Sequence, residues 1–243
     1  PDGSVCGAEA LVRWNHHELG FLNPDDFIPA AEQSGMIVEL KRHVISNAVH
    51  WCREWEDAGH TLSVSVNLSA RDLLDEYLPY HVMQILKDAK LKPNRLTLEV
   101  TESSIMEDIK RSIAILELLR DIGVRISMDD FGTGHSSLAQ LRNIPLHELK
   151  IDKSFVKTIC EDGHNDAIVR TTLELAHGMG LDTVAEGIED KATLRHIAGR
   201  GCHQAQGFFF SKPLPPAEFL EWLASYKPEP VPERRREDRA FAS

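Results

Sequence analysis

No apolar run in this chain approaches the length of a membrane span, and no signal-peptide pattern is present. Cysteine is sparse and scattered: Cys6, Cys52, Cys160 and Cys202 form no CxxC pair. That spacing excludes a disulfide framework or a zinc knuckle and fits a reducing compartment. A cytoplasmic setting is therefore expected for a soluble domain, whether or not its parent protein is tethered to a membrane. His43 and His50 lack the HExxH spacing of a zinc site and read as structural or surface residues. Positive charge is also short. Lys and Arg number 27 against 38 Asp and Glu, a formal net charge of −11, which excludes binding of a nucleic-acid polymer by general electrostatics. An anionic substrate would have to be met by local cations, and metal ions would serve.

What the chain does contain is an ample core. Its 243 residues are 42% hydrophobic and 27% charged, a length that suits two small domains or one α/β barrel. It opens on Pro1 rather than Met, which reads as a piece of something longer. Residues 227–243, with Pro228, Pro230, Pro232 and an Arg-rich run, read as a disordered tail or linker, leaving 1–226 as the domain.

Periodicity predicts strands at Val5–Trp14, Leu62–Leu68, Leu96–Thr101, Val124–Asp130, Glu148–Asp152, Asp182–Glu186 and Cys202–Phe210. Gly20–Asp26 reads as a loop. Helices are expected at Phe27–Ser34, Ile37–Ala58, Ala70–Ala89, Ile109–Ile122, Ser136–Arg142, Phe155–Cys160, His164–Met179, Asp190–Ala198 and Pro216–Tyr226. Trp51 and Trp55, four apart, read as core packing. This alternation means βαβ units and a mostly parallel sheet. Within each strand one parity is apolar and the other small or polar: Leu62, Val64 and Val66 oppose Ser63, Ser65 and Asn67. An open sheet covered by helices on both faces would be apolar on both. One apolar and one polar face suit a (β/α) barrel whose interior turns polar toward its C-terminal mouth.

The stretch Ser127–Gly134 organises the rest. A period-two strand ends in Asp129 and Asp130, expected on opposite sides, and Gly132 and Gly134 permit a sharp turn directly afterwards. Adjacent carboxylates raise each other's pKa unless a cation lies beside them. Inward or tip positions on the other strands hold Glu9, Arg13, Asn67, Glu99, Lys150, Asp152, Glu186 and Gln206. Singly, each has a structural explanation: Asn67 would cap a helix, Glu99 pair with a cation, Lys150 form a strand-end salt bridge. Together they set oxygen ligands at successive strand tips, without His or Cys, which suits hard cations such as Mg²⁺ or Mn²⁺. A carboxylate shared between two ligand sets would support the paired metal site used for in-line displacement at phosphorus. Arg13 would hold a phosphate oxygen, and Lys150 would position or deprotonate the attacking water.

These residues resemble the EAL-domain cyclic-di-GMP phosphodiesterases. The match runs through Glu9-Ala10-Leu11 with Val12-Arg13-Trp14, then Asn67-Leu68-Ser69, Leu98-Glu99-Val100-Thr101-Glu102 and Asp129-Asp130-Phe131-Gly132-Thr133-Gly134. It continues through Lys150-Ile151-Asp152, Ala185-Glu186-Gly187-Ile188-Glu189 and Gln206-Gly207-Phe208, covering the chain to about Ala224. The resemblance implies a TIM-type (β/α)8 barrel modified with an antiparallel strand near the N-terminus. It implies hydrolysis of cyclic-di-GMP to linear pGpG by in-line attack of a metal-bound water, with Mg²⁺ or Mn²⁺, two ions, and inhibition by Ca²⁺. By matching position, Glu9, Asn67, Glu99 and Asp129 would bind one metal, and Asp129 would bridge to a second held by Asp130 and Glu186. Lys150, Glu186 and Gln206 would be catalytic; Leu11, Arg13 and Asp152 would bind substrate. Glu102 would brace the Phe131–Ser137 loop, which contains Gly132, Gly134 and Ser136, and Glu189 would support the ligands. A homodimer through the segment after Asp130 and an upstream sensor or GGDEF domain are the implied partners. His135 stands where that loop usually carries Tyr or Phe, and the family's strand with a Gln-Pro pair would lie before Pro1. The competing readings are a non-catalytic cyclic-di-GMP receptor and a metal-dependent barrel lyase or aldolase; the Asp129-Asp130 pair and the missing Schiff-base setting around Lys150 argue against the last.

Overall fold

The alternation of strands and helices expected from the sequence is realised in two compact units. The computed structural model describes residues 3–132 and 141–228. One unit runs from Cys6 to Ile126; the other runs from Ser127 onward and takes in the residues up to Val5.

The first unit contains β1 (Gly7–Glu9), β2 (Trp14–His16), β3 (Gly20–Leu22), α1 (Pro24–Ser34), α2 (Ile37–Asp57), β4 (Ser63–Leu68), α3 (Leu78–Ala89), β5 (Leu96–Thr101), α4 (Glu102–Met106) and α5 (Ile109–Ile122). Strand β4 pairs in parallel with β1 on one side and β5 on the other. Val64, Val66 and Leu68 are buried while Ser63, Ser65 and Asn67 are half-buried, the parity expected from the sequence. Helix α2 buries Ile45, Ala48, Val49, Cys52 and Trp55 as one stripe at helical spacing. Burial pushes the Cys52 thiol up to about 11, so it acts as core rather than as a reactive group.

Two expectations are corrected here. The single strand over Val5–Trp14 is two short ones: β1 stops at Glu9, and β2 pairs antiparallel with β3, which lies inside the expected Gly20–Asp26 loop. The antiparallel pair is therefore a separate two-stranded sheet, and the strand carrying Glu9 is parallel to β4. The expected helix over Ala70–Ala89 is also divided, into a 3₁₀ turn at Asp72–Leu74 and α3. Asp72 folds back to accept from the Ser69 amide and hydroxyl, which closes the short turn, and Pro79 opens a new helix in its first turn.

The second unit contains β6 (Arg125–Phe131, starting at the boundary), β7 (Glu148–Ile151), α6 (Lys153–Val156), α7 (Gly163–Gly178), β8 (Asp182–Ala185), α8 (Lys191–Gly199), β9 (Gln204–Ala205) and α9 (Pro216–Ser225). Its strands are parallel, in the order β6-β7-β8-β9. Leu149, Ile151, Val156, Val169, Leu173, Ala176 and Ile197 form its buried core. Aspartates cap three of its helices: Asp152, Asp162 and Asp190 each accept a backbone N–H of the first turn. The last strand is shorter than Cys202–Phe210, because beyond Gln206 the chain turns to bond Ile188. The expected Ser136–Arg142 helix falls largely outside the described residues, as does the tail beyond residue 228.

Helices α7 and α8 are tied by Asp166, which accepts from His196 Nε2 at 2.8 Å and Arg200 Nη2 at 2.6 Å. Burial alone would push the Asp166 carboxyl up, but the His196 hydrogen bond and the Arg200 charge outweigh it and hold the carboxyl below its usual range. A depressed carboxylate stabilises the fold above its unfolded pKa of about 3.9 and loses that contribution as pH falls through the folded value. An Asp166→Asn variant should therefore melt below wild type at neutral pH, and thermal scans should show the two midpoints converging below about pH 3.9.

Candidate active site

Each unit carries its own share of the expected constellation. In the first, Glu9 is the last residue of β1, and Asn67 stands opposite Glu99 in the β4–β5 register. Asn67 Nδ2 donates to Glu9 Oε1 at 2.6 Å. That orientation of the amide leaves Oδ1 as the oxygen available to a cation. Glu99 is 2% exposed, on a strand whose other buried residues are Leu96, Thr97, Leu98 and Val100, where a carboxylate has to be met by a donor or a positive charge. Glu102 is buried in the first turn of α4, which Thr101 caps through the Ser104 amide.

In the second unit, Asp129 and Asp130 depart from simple strand geometry. Met128 pairs with Leu149 and Phe131 with Ile151, so both aspartates together oppose the single residue Lys150. This is a β-bulge, and it interrupts the regular strand alternation on which the expectation of carboxylates facing opposite sides rests. Asp130 takes the left-handed conformation, φ 54°, and its amide donates to Asp129 Oδ1 at 3.0 Å. Lys150 is 1% exposed. Its ammonium lies 2.6 Å from Glu186 Oε1 and 3.5 Å from Asp129 Oδ1. Burial, then the neighbouring Asp129 charge, then Asp152 push the Asp130 carboxyl above its usual range. Asp152 moves the other way. Burial would raise it, but hydrogen bonds from the Ser154 hydroxyl and amide prevail and hold it low. Asp130 and Asp152 are hydrogen-bonded, and their carboxyls shift in opposite directions, Asp130 upward and Asp152 downward.

The remaining expected residues are placed as follows. Gln206 is anchored by its backbone, donating to Ala185 and accepting from Ile188. Glu189 pairs with Lys157 at 2.7 Å, both side chains half-exposed. Arg13 is exposed and donates to its own neighbour's Val12 carbonyl, and Leu11 is exposed. Gly132 turns the chain with φ 95°. Gly134, Ser136 and His135 lie outside the described residues.

The donors are all oxygen, carboxylates and one amide, which fits a hard cation and not zinc or copper. Among the described residues no three His, Cys, Asp or Glu side chains form a ready ligand cluster. Lys150 supplies the positive charge that Asp129 and Glu186 need in this arrangement. Reasoning from the sequence missed Lys41, whose ammonium bonds the Asn67 carbonyl, Asp72, which pairs with Lys41, and Ser154, which donates to Asp152. The Ser-x-x-Asp spacing of Ser69 and Asp72 was a legible signal of a capping box.

The family model for the EAL domain matches residues 1–213. The chain is 40% identical over 225 residues to the bifunctional diguanylate cyclase/cyclic di-GMP phosphodiesterase MucR of Pseudomonas aeruginosa, covering 92% of this chain and 33% of that protein. It is 36% identical over 224 residues to the cyclic di-GMP phosphodiesterase PdeR of Escherichia coli, covering 92% and 34%. The chain thus spans about a third of the length of these curated relatives. Among solved structures, that of the PaMucR phosphodiesterase in a c-di-GMP complex matches with a TM-score of 0.85 and 42% identity, over 90% of this chain and 89% of that one. The EAL domain of Mycobacterium smegmatis DcpA matches with a TM-score of 0.72 and 35% identity, over 77% and 85%. The fold class is accordingly the TIM-like barrel of those structures, with its separate antiparallel pair, and the chain belongs to the EAL domain family.

Proposed function

We propose that this domain hydrolyses one phosphodiester of cyclic-di-GMP to linear pGpG with Mg²⁺ or Mn²⁺, two ions in all. The observation that carries the reading is Lys150, buried and flanked by Glu186 and Asp129, in an EAL-family chain whose donor positions all hold oxygen ligands. In this reading Glu9, Asn67 and Glu99 hold one cation, Asp130 and Glu186 the other, and Asp129 is shared. The cations supply Lewis acidity and a nucleophile usable at neutral pH. Lys150 and Gln206 orient the attacking water, and Glu186 adds its carboxylate beside the Lys150 ammonium. Arg13 and Leu11 bind substrate, and Asp152 takes its guanine side. Glu102 braces the loop that starts at Phe131, and Glu189 supports from the Lys157 side. Ca²⁺ would fill the same oxygens with longer bonds and looser geometry than Mg²⁺ demands, and so inhibit.

The same proposal extends to the parent protein: residues 1–226 as the catalytic domain in a cytoplasmic setting, a homodimer through the segment after Asp130, and an upstream sensor or GGDEF domain as regulator. Among the described residues no helix is long and apolar enough to cross a membrane.

Chromatography of cyclic-di-GMP incubated separately with Mg²⁺, Mn²⁺ and Ca²⁺ tests the reading. Linear pGpG in the first two tubes and little in the third is the expected result. A Glu9→Ala variant should lose turnover while its thermal midpoint stays within about 4 °C of wild type. Intact substrate in every tube, with tight binding by calorimetry, would replace the enzyme with a receptor.

A further inference from the structure

The carbonyl of Asn67 sits where a strand ladder runs out. In a parallel pair, residues two apart send their carbonyls to the same neighbour. Ser65 accepts from the Ala10 amide at 2.9 Å, so its carbonyl faces β1, and so does that of Asn67. Strand β1, however, ends at Glu9, and the chain leaves for the β2–β3 pair. Lys41 of α2 supplies the donor that the ladder no longer does: its ammonium bonds the Asn67 carbonyl. The same ammonium is 3.5 Å from Asp72 Oδ2, with the two side chains 14% and 2% exposed. Asp72 in turn accepts from the Ser69 amide and hydroxyl, both at 2.7 Å. Burying both charges is costly, and a neutral residue would close the short turn as well. The ion pair thus does something that capping does not require. It grips the last turns of backbone before and after Leu68, from which the Asn67 side chain reaches Glu9.

We propose that Lys41 and Asp72 form a charged clamp on the end of β4, positioning Asn67 and, through it, Glu9 to receive a divalent cation. The clamp rests on the reading of Glu9 and Asn67 as cation ligands. Lys41 is then a positioning residue, acting from a helix at the back of the strand.

The test is calorimetric titration of the protein with Mn²⁺ alone, with thermal midpoints measured in parallel. Lys41→Met should weaken Mn²⁺ binding about 10- to 100-fold. It should also lower the midpoint, since Asp72 loses its buried partner. The double variant Lys41→Met with Asp72→Asn contains no unpaired buried charge, so it should recover the midpoint but not the affinity. Leu116→Ala, a core deletion in the same unit, should lower the midpoint and leave Mn²⁺ binding unchanged. If Lys41→Met fails to fold, the double variant carries the comparison. Wild-type affinity in either Lys41 variant would overturn the clamp and leave the ligand reading intact. A wild-type protein that takes up no Mn²⁺ would overturn the ligand reading, and the clamp with it.

Discussion

A Lys150→Met variant is expected to lose about 10³-fold in turnover of cyclic-di-GMP while remaining folded. Methionine keeps the length and the apolar stem of the side chain and deletes only the ammonium, which is the part held between Glu186 and Asp129. The substitution has a second effect that separates this site from an ordinary salt bridge. Removing one member of a buried pair costs about 3–5 kcal/mol when the other stays charged and dry. Here the carboxylates are 14% and 16% exposed, so water and protonation relieve part of that, and about 2 kcal/mol is the expected loss. Urea denaturation without metal should show that loss as a lower midpoint. Saturating Mn²⁺ should shrink it, because the cation restores positive charge beside the same two acids. Turnover within tenfold of wild type would remove Lys150 from the reaction. A deficit unchanged by Mn²⁺ would mean that Asp129 and Glu186 do not receive the ion.

Gly207→Ala is expected to be the most destabilising single methyl addition among the described glycines of the second unit. A Cβ at Gly207 would lie 2.2 Å from the Ile188 carbonyl oxygen and 2.3 Å from the Ile188 nitrogen. Both are backbone atoms, so no rotamer change makes room. They also belong to hydrogen bonds that shape the site: Ile188 N donates to the Gln206 carbonyl, and Phe209 N donates to the Ile188 carbonyl. Relief of the clash has to separate the segment after β8 from the segment after β9, displacing Gln206 and Glu186 together. The expected cost is about 3 kcal/mol or more, a drop of roughly 6–12 °C in thermal midpoint for a chain of this size. Turnover should fall along with it. By contrast, Gly180→Ala meets no atom within 4 Å and bears only the strain of its φ of 71°; its midpoint should fall by about 1 kcal/mol equivalent. Equal losses at the two glycines would mean that backbone conformation, not the Ile188 contact, sets the requirement.

Much of the architecture was legible before any coordinates. Period-two burial in β4, the amphipathic stripe of α2 and the glycine that ends α5 are local consequences of side-chain order, and each is found where the pattern placed it. The oxygen-only donor set is likewise a matter of residue type, and Glu9, Asn67, Glu99, Asp129, Asp130 and Glu186 needed only strand positions to be recognised as candidates. Three features were not legible, for one shared reason. Where β1 stops depends on what its neighbour offers, so the apolar pattern through Trp14 ran past the true end at Glu9. The bulge at Asp129-Asp130 is a difference in register between two strands, a property of the pair and of neither sequence alone. Lys41 and Asp72 meet across 31 positions of chain, and nothing in the composition of α2 singles out that lysine from its neighbours. The sequence alone determined which chemical groups this protein carries and which faces of its strands and helices turn inward, since both follow from residue type and period. Only the tertiary structure decided that Lys150 stands opposite both aspartates, that the Asp130 and Asp152 carboxyls shift in opposite directions, and that a helix lysine completes the ladder behind Asn67. Those outcomes arise from through-space electrostatics and hydrogen bonding between segments far apart in the chain.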